Sequence, residues 1–172
     1  TGTRRSLIAR IPMSRRPSLS EFKPDALWLR MEKWIGFHRT INIFGPYLGA
    51  GVKVESVMPD YSEITVKRKM HFYNRNYVGT HFGGSLYSMT DPWYMFMLMQ
   101  RLGTGYMVWD KSASIEFVKP GTGTVRATFR LPDEELERIR AKVEAEKKTD
   151  WSFEEVIVDE KGTVVARVRK VL

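Results

Sequence analysis

The chain has no cysteine. That removes disulfides, thiolate nucleophiles and cysteine-ligated metals from consideration. Histidine is scarce: only His38, His71 and His81 occur, at spacings that match no metal-binding pattern. No apolar run reaches the ~20 residues that a bilayer span requires, so a soluble, cytoplasmic protein without a membrane span is expected. Acidic residues are almost missing from the first 23 positions. Glu21 stands there against Arg4, Arg5, Arg10, Arg15, Arg16 and Lys23, so five units of the net +8 sit in this stretch. It reads as a basic, solvated arm over 1–23. The remainder is close to neutral, which argues against a nucleic-acid-binding protein. With repeats and low-complexity tracts also absent, 24–172 reads as one domain large enough for a sizeable core.

Periodicity divides that domain. Pro24 suits the first turn of a helix over 24–40, in which Leu27, Met31, Trp34 and Ile35 make an apolar stripe. Gly45-Pro46 and Gly49 to Gly51 read as breakers after it. Val52 and Val54, then Ile64 and Val66, alternate with polar residues as in half-buried strands, and Pro59-Asp60 makes the turn between them. A strongly apolar helix follows over 83–102. Alternating segments then centre on Ile115 and on Ala127. Residues 133–148 form a charged helix, and 151–158 with 163–171 form a hairpin. A helix that is apolar nearly all round has to be buried. The pattern therefore implies an α+β architecture: a curved antiparallel sheet of about six strands wrapped around one central helix.

That helix contains residues foreign to it. Gly83-Gly84 opens it. First-turn N–H groups lack partners inside a helix, and glycine lets a ligand approach them closely, so they suit an oxyanion. Close packing of helix on strand would use the same pair. Asp91 falls in the apolar stretch, where a carboxylate needs partners or a purpose. Desolvation there would favour its protonated form, which suits a general base, while an ion-paired Asp at a kink is the alternative. Pro92 disfavours helix at Asp91 and would aim the carboxylate off the axis.

The run Asn76, Gly79, Phe82, Gly83, Gly84 and then Asp91 resembles the signature of hotdog-fold acyl-CoA thioesterases of the phenylacetyl-CoA type. That signature reads Asn-x-x-Gly-x-x-His-Gly-Gly, with an Asp seven residues beyond. The chain is similar to an uncharacterised branch of that superfamily. It departs at the His position, which holds Phe82, with His81 one place earlier. The resemblance implies a hotdog domain that hydrolyses an acyl-CoA or acyl-carrier thioester, with no cofactor beyond the coenzyme A of the substrate. Asp91 would be base or nucleophile, Gly83 with Gly84 would polarise the carbonyl, Asn76 would orient substrate or water, and His81 stands in for the displaced His. Gly79, Phe82 and Ser88 fall on the substrate side. Lys67, Lys69 and Arg75 are candidates for the coenzyme's phosphates, against the plainer reading of a solvated strand face. Met89, Met95, Met97 and Met99 read as core, or as the lining of an acyl tunnel.

On a straight helix Gly83 and Asp91 would stand about 12 Å apart, too far to act on one carbonyl. A homodimer, possibly a tetramer, is therefore expected, with Gly83 of one chain facing Asp91 of the other. Two other functions fit the same pattern: a non-catalytic acyl-CoA or acyl-carrier binding protein, and an enoyl-CoA hydratase or dehydratase using His81.

Overall fold

The computed structural model describes residues 8–10 and 26–172. The remainder of the basic arm lies outside the described residues. The elements run β1 (Ile8–Arg10), α1 (Ala26–Ile35), α2 (Phe37–Asn42), α3 (Gly45–Ala50), β2 (Val52–Val57), β3 (Glu63–Lys69), α4 (Gly83–Ser88), α5 (Trp93–Leu102), β4 (Tyr106–Val108), β5 (Ser112–Phe117), β6 (Thr124–Arg130), α6 (Asp133–Glu146), β7 (Lys148–Thr149), β8 (Ser152–Asp159) and β9 (Val164–Val171). Six strands form one antiparallel sheet in the order β2-β3-β6-β8-β9-β5. A small sheet, β4-β1-β7, forms beside it.

The period-two reading of the strands holds because one face of the large sheet is dry. Ile64 and Val66 of β3, Val125, Ala127 and Phe129 of β6, Phe153 and Ile157 of β8, and Ala166 and Val168 of β9 are all buried. Leu86 of α4, Met89 just after it, and Trp93, Met97 and Leu98 of α5 meet them. Tyr94 stacks on Phe153 at 4.0 Å and meets Phe129 edge-on at 5.3 Å. Fully burying a side chain such as Phe129 contributes about 2–3 kcal/mol. Arg68 and Lys170 continue two of these inward rows, and both are buried.

Three expectations change. The helix expected over 24–40 is two helices, because Gly36 between α1 and α2 takes a positive φ. The Gly45-Pro46 and Gly49 to Gly51 stretch is not merely a break. Pro46 sits in the first turn of α3, where its missing N–H costs nothing, and Gly51 caps the end in the left-handed conformation. The apolar helix expected over 83–102 is α4 and α5, separated by the segment that carries Asp91 and Pro92.

The two edges of the large sheet differ. Beside β2, the Asn42 amide accepts from the Val54 N–H at 2.7 Å and donates to the Val54 carbonyl at 3.2 Å. This edge is covered by α2. Strand β5 ends the sheet on the other side, is exposed along most of its length, and carries a half-exposed Phe117. An uncovered edge is a template for pairing with another chain.

Gly51 tests the importance of the α3 turn. A Cβ there would overlap the Asn74 side-chain amide, which accepts from the His71 N–H and donates to the Lys69 carbonyl. Its left-handed backbone adds strain for any L-residue. Gly51→Ala should lower stability by about 1–3 kcal/mol, measured as a fall in Tm.

Candidate functional site

Asp91 lies between the two helices, where Pro92 prevents α4 from continuing into α5. The desolvated carboxylate of the sequence reading is not found; its alternative, an ion-paired Asp at a break in the helix, is. The Asp91 side chain is 46% exposed and ion-paired to the Lys170 ammonium. Lys170 also reaches Asp110 Oδ2 at 2.9 Å, and the Tyr87 ring centre stands 6.0 Å from its nitrogen. Burial alone would push the Lys170 ammonium toward its neutral form. Hydrogen bonds and the charges of Asp91 and Asp110 outweigh this and raise its pKa. Burial chiefly, with Asp91 nearby, raises the Asp110 carboxyl, although Lys170 opposes the shift. The Tyr47 hydroxyl donates to the Asp91 backbone carbonyl, and burial, with the negative charge of Asp91, keeps that hydroxyl protonated. Neither Lys170 nor Asp110 was singled out from the sequence. The available signal was parity: Ala166, Val168 and Lys170 fall on one face of β9, so a cation occupies an inward position.

The Gly pair builds a different corner. Phe82 precedes α4, and its carbonyl accepts from the N–H groups of Ser85 and Leu86. The N–H groups of Gly83 and Gly84 come earlier and stay outside the helical ladder. A Cβ on Gly83 would come within 2.8 Å of the Phe117 ring, and one on Gly84 within 2.7 Å of the Phe82 ring. In each case the contact is the end of a half-exposed ring, which a side chain at either position would displace without moving the backbone. Gly84, Ser85, Ser88, Phe82 and Arg75 line a cleft of 530 Å³ whose far wall is α3. Asp91 is not part of that lining.

The preceding loop is held by its own polar groups. Asn76 Oδ1 accepts from the N–H groups of Val78 and Thr80, at 3.1 and 2.9 Å. Its Nδ2 donates to Thr80 Oγ1 at 2.8 Å and to the His81 carbonyl at 3.3 Å. Gly79 takes a positive φ in the same turn. His81 is buried, away from the cleft lining, with Arg68 donating to its Nδ1. A guanidinium only donates, so the His81 proton sits on Nε2. That Nε2 has no partner among the described residues. Arg68 also donates to the Ala50 carbonyl at 2.8 Å and to the Asn74 carbonyl, and burial lowers its pKa. Lys67 lies on the outer face of the sheet, 3.0 Å from Glu55, which also binds Arg126. Of the three cations proposed for phosphates, Arg75 alone lines the cleft. Met89 and Met97 are buried in the core, and none of the four methionines of this segment lines the cleft. Among the described residues no group of three or more acids and histidines could hold a metal, and no helix is long and apolar enough to cross a membrane.

Lys170 is the testable centre of the charged corner. Lys170→Met would leave Asp91 and Asp110 close together without a cation. Removing one partner of a buried pair costs about 3–5 kcal/mol, and the half-exposed Asp91 places the loss near the lower end. Burial, with Asp91 nearby, already raises the Asp110 carboxyl, and the variant would lose the cation that opposes this. The cost of ionising Asp110 is present above its raised pKa and is relieved as pH falls through it. Thermal melts should therefore show a larger gap from the parent at pH 7 than at pH 4.

The family described as Domain of unknown function (DUF4442) matches residues 16–172. No curated protein matches the chain. Among solved structures, the chain is similar to PA5026 from Pseudomonas aeruginosa, a protein of unknown function described as a probable thioesterase. The identity is 18%, with 87% of this chain and 93% of that chain covered, at a TM-score of 0.61. It is similar to the E. coli PaaI protein from the phenylacetic acid degradation operon, at 16% identity, 81% and 91% coverage, and a TM-score of 0.55. It also resembles the thioesterase HI1161 from Haemophilus influenzae, at 12% identity, 76% and 82% coverage, and a TM-score of 0.56. The sheet wrapped on α4 and α5 is the hotdog fold that the resemblance implied, and the chain belongs to the DUF4442 family.

Proposed function

We propose that this protein is a homodimeric thioester hydrolase, acting on an acyl-CoA or acyl-carrier substrate at a site shared between two chains. The observation that carries the reading is the placement of its two chemical corners along the uncovered strand β5. Lys170, which holds Asp91, pairs with Ala113 near the start of β5. Phe117, which lies over Gly83, ends the strand. Ala113 and Phe117 are four residues apart, about 13 Å along a strand. The straight-helix separation of Gly83 and Asp91 no longer applies, because the helix is broken, but the strand keeps the corners apart in its place. Antiparallel pairing of β5 with its own copy across a two-fold axis brings the Asp91 end of one chain to the Gly83 end of the other.

In such a site the Gly83 N–H, with that of Gly84, holds the thioester oxygen as negative charge develops. The Asp91 carboxylate removes a proton from water as it attacks the carbonyl carbon. Collapse of the tetrahedral adduct breaks the carbon–sulfur bond. The thiolate leaves with a proton, and the acid is released. Lys170 fixes one Asp91 oxygen and leaves the other free for this work. Asn76 and His81 act in this reading by holding the loop that carries Phe82 and the Gly pair. A second reading, binding without turnover, is favoured by one observation: the Phe82 and Phe117 rings crowd the Gly pair. Absence of hydrolysis across a panel of acyl-CoAs, with binding retained, would decide for it.

Asp91→Asn should remain folded and lose about 100-fold or more of thioesterase activity. An unchanged rate would make Asp91 structural. The shared site has its own test. Asp91→Ala and Gly83→Pro, both inactive alone, would be coexpressed with different tags; proline is tolerated in a first helical turn and removes the donor. Random pairing makes half the dimers mixed, each with one intact site, so about a quarter of parental activity should return. No return in confirmed mixed dimers would place each site within one chain.

A further inference from the structure

We infer that the loop between β3 and α4 docks on the surface of an anionic lipid bilayer, so that the mouth of the cleft opens against the membrane. The inference goes beyond the hydrolase reading and does not need it. The loop leaves large apolar side chains in water: Phe72 is 83% exposed, Val78 is 76% exposed and Tyr77 is fully exposed. Tyr73 is exposed as well, and Leu48 of α3, also exposed, stands beside it. Apolar side chains gathered on one loop, rather than scattered singly, mark an interaction site. Charge then selects the partner. From Ile64 to Thr90 the chain has no acidic residue. Lys69 and Arg75 are exposed, and neither has an ion pair among the described residues. Beneath them Arg68 is buried and answered only by neutral acceptors, the Ala50 and Asn74 carbonyls and the His81 ring. Aromatic rings sit well at the level of lipid headgroups, and each cation near an anionic bilayer adds to the attraction. A two-fold contact of this loop with its own copy would instead set cation against cation.

The backbone of the loop suits the same environment. A polar group carried into the boundary between headgroups and acyl chains without a partner is costly. Asn76 supplies the partners. Its Oδ1 accepts from the N–H groups of Val78 and Thr80. Its own N–H donates to the Thr80 carbonyl at 2.8 Å, and its carbonyl accepts from the Gly79 N–H at 3.0 Å. The His81 N–H donates to the Gly121 carbonyl at 3.0 Å. The turn thus closes on itself and presents Tyr77 and Val78 at its tip. A tip already held in shape loses little conformational freedom on insertion. The same loop supplies Tyr73, Arg75 and Phe82 to the lining of the cleft. A bilayer seated on the tip therefore lies at the mouth of the cleft, and an acyl chain leaving the lipid reaches it with little exposure to water.

The test is cosedimentation of the full-length protein with vesicles, which does not depend on turnover. Vesicles of phosphatidylcholine mixed equally with phosphatidylglycerol should bind the protein. Vesicles of phosphatidylcholine alone should bind it at least about tenfold more weakly, and added salt should weaken binding to the mixed vesicles. Phe72→Ser/Tyr77→Ser/Val78→Ser changes three exposed side chains outside the cleft lining, and its folding is checked by thermal melting. It should bind the mixed vesicles at least about tenfold more weakly than the parent. No binding to the mixed vesicles, equal binding to both compositions, or undiminished binding by the triple variant overturns the inference; the last would assign the attraction to charge elsewhere, such as the basic stretch 1–23. A second measurement uses the absence of cysteine, which makes a single label unambiguous. Val78→Cys carrying a polarity-sensitive fluorophore should brighten with mixed vesicles and be dimmed by a quencher fixed to the lipid. The same label at Glu137→Cys, on the exposed face of α6, should do neither. An equal response at both positions overturns the inference. So does a Val78 label already shielded without vesicles, together with a triple variant of altered oligomeric state, because the loop would then be covered by a second copy of the chain.

Discussion

The Lys170 ammonium is buried, and a buried cation has to be answered by anions. That constraint organises one end of the molecule. Asp91 and Asp110 both turn toward it, from the helix break on one side and from the approach to β5 on the other. Asp91 can do so because it does not belong to a continuous helix, and Tyr47 of α3 holds its carbonyl from behind. The break between α4 and α5, the position of α3 and the start of β5 thus share one electrostatic requirement.

Arg68 poses the complementary problem at the other end. It too is buried, with carbonyls and the His81 ring as its partners. Neutral acceptors satisfy its donors without cancelling its charge, so positive potential remains behind the loop that leads into Gly83 and Gly84. Phe82 takes the position that the thioesterase signature gives to His. The imidazole one place earlier turns inward to Arg68, while the Phe82 ring covers Gly84. A one-residue offset therefore exchanges a polar group in the cleft for a polar group in the interior.

Much of the fold was legible because it depends on periodicity. Strands β2, β3 and β6 alternate strictly enough for their inner faces to be read directly, and the apolar residues from Leu86 to Leu102 could only be covered by a sheet. The short strands β4 and β7 were not legible, since three and two residues carry no period. Helix α3 was missed because its Gly and Pro residues read as breakers, although at helix ends they start and stop a turn. At the candidate site, the spacing from Asn76 to Asp91 brought the Gly pair and the acid into view, but not the partners that reach them from β9 and from the loop before β5.

The sequence by itself determined which faces are apolar, that one segment must lie inside a sheet, and that a carboxylate and a glycine pair share that segment. These follow from local spacing, and local spacing is fully written in the chain. Only the tertiary structure decided that Asp91 is held by Lys170, that Asn76 closes its own loop, that His81 faces Arg68, and that Leu48 of α3 stands beside Tyr73. Each joins residues from separate elements or selects one of several local hydrogen-bond patterns, and such pairings depend on how the sheet curves and where the helix breaks.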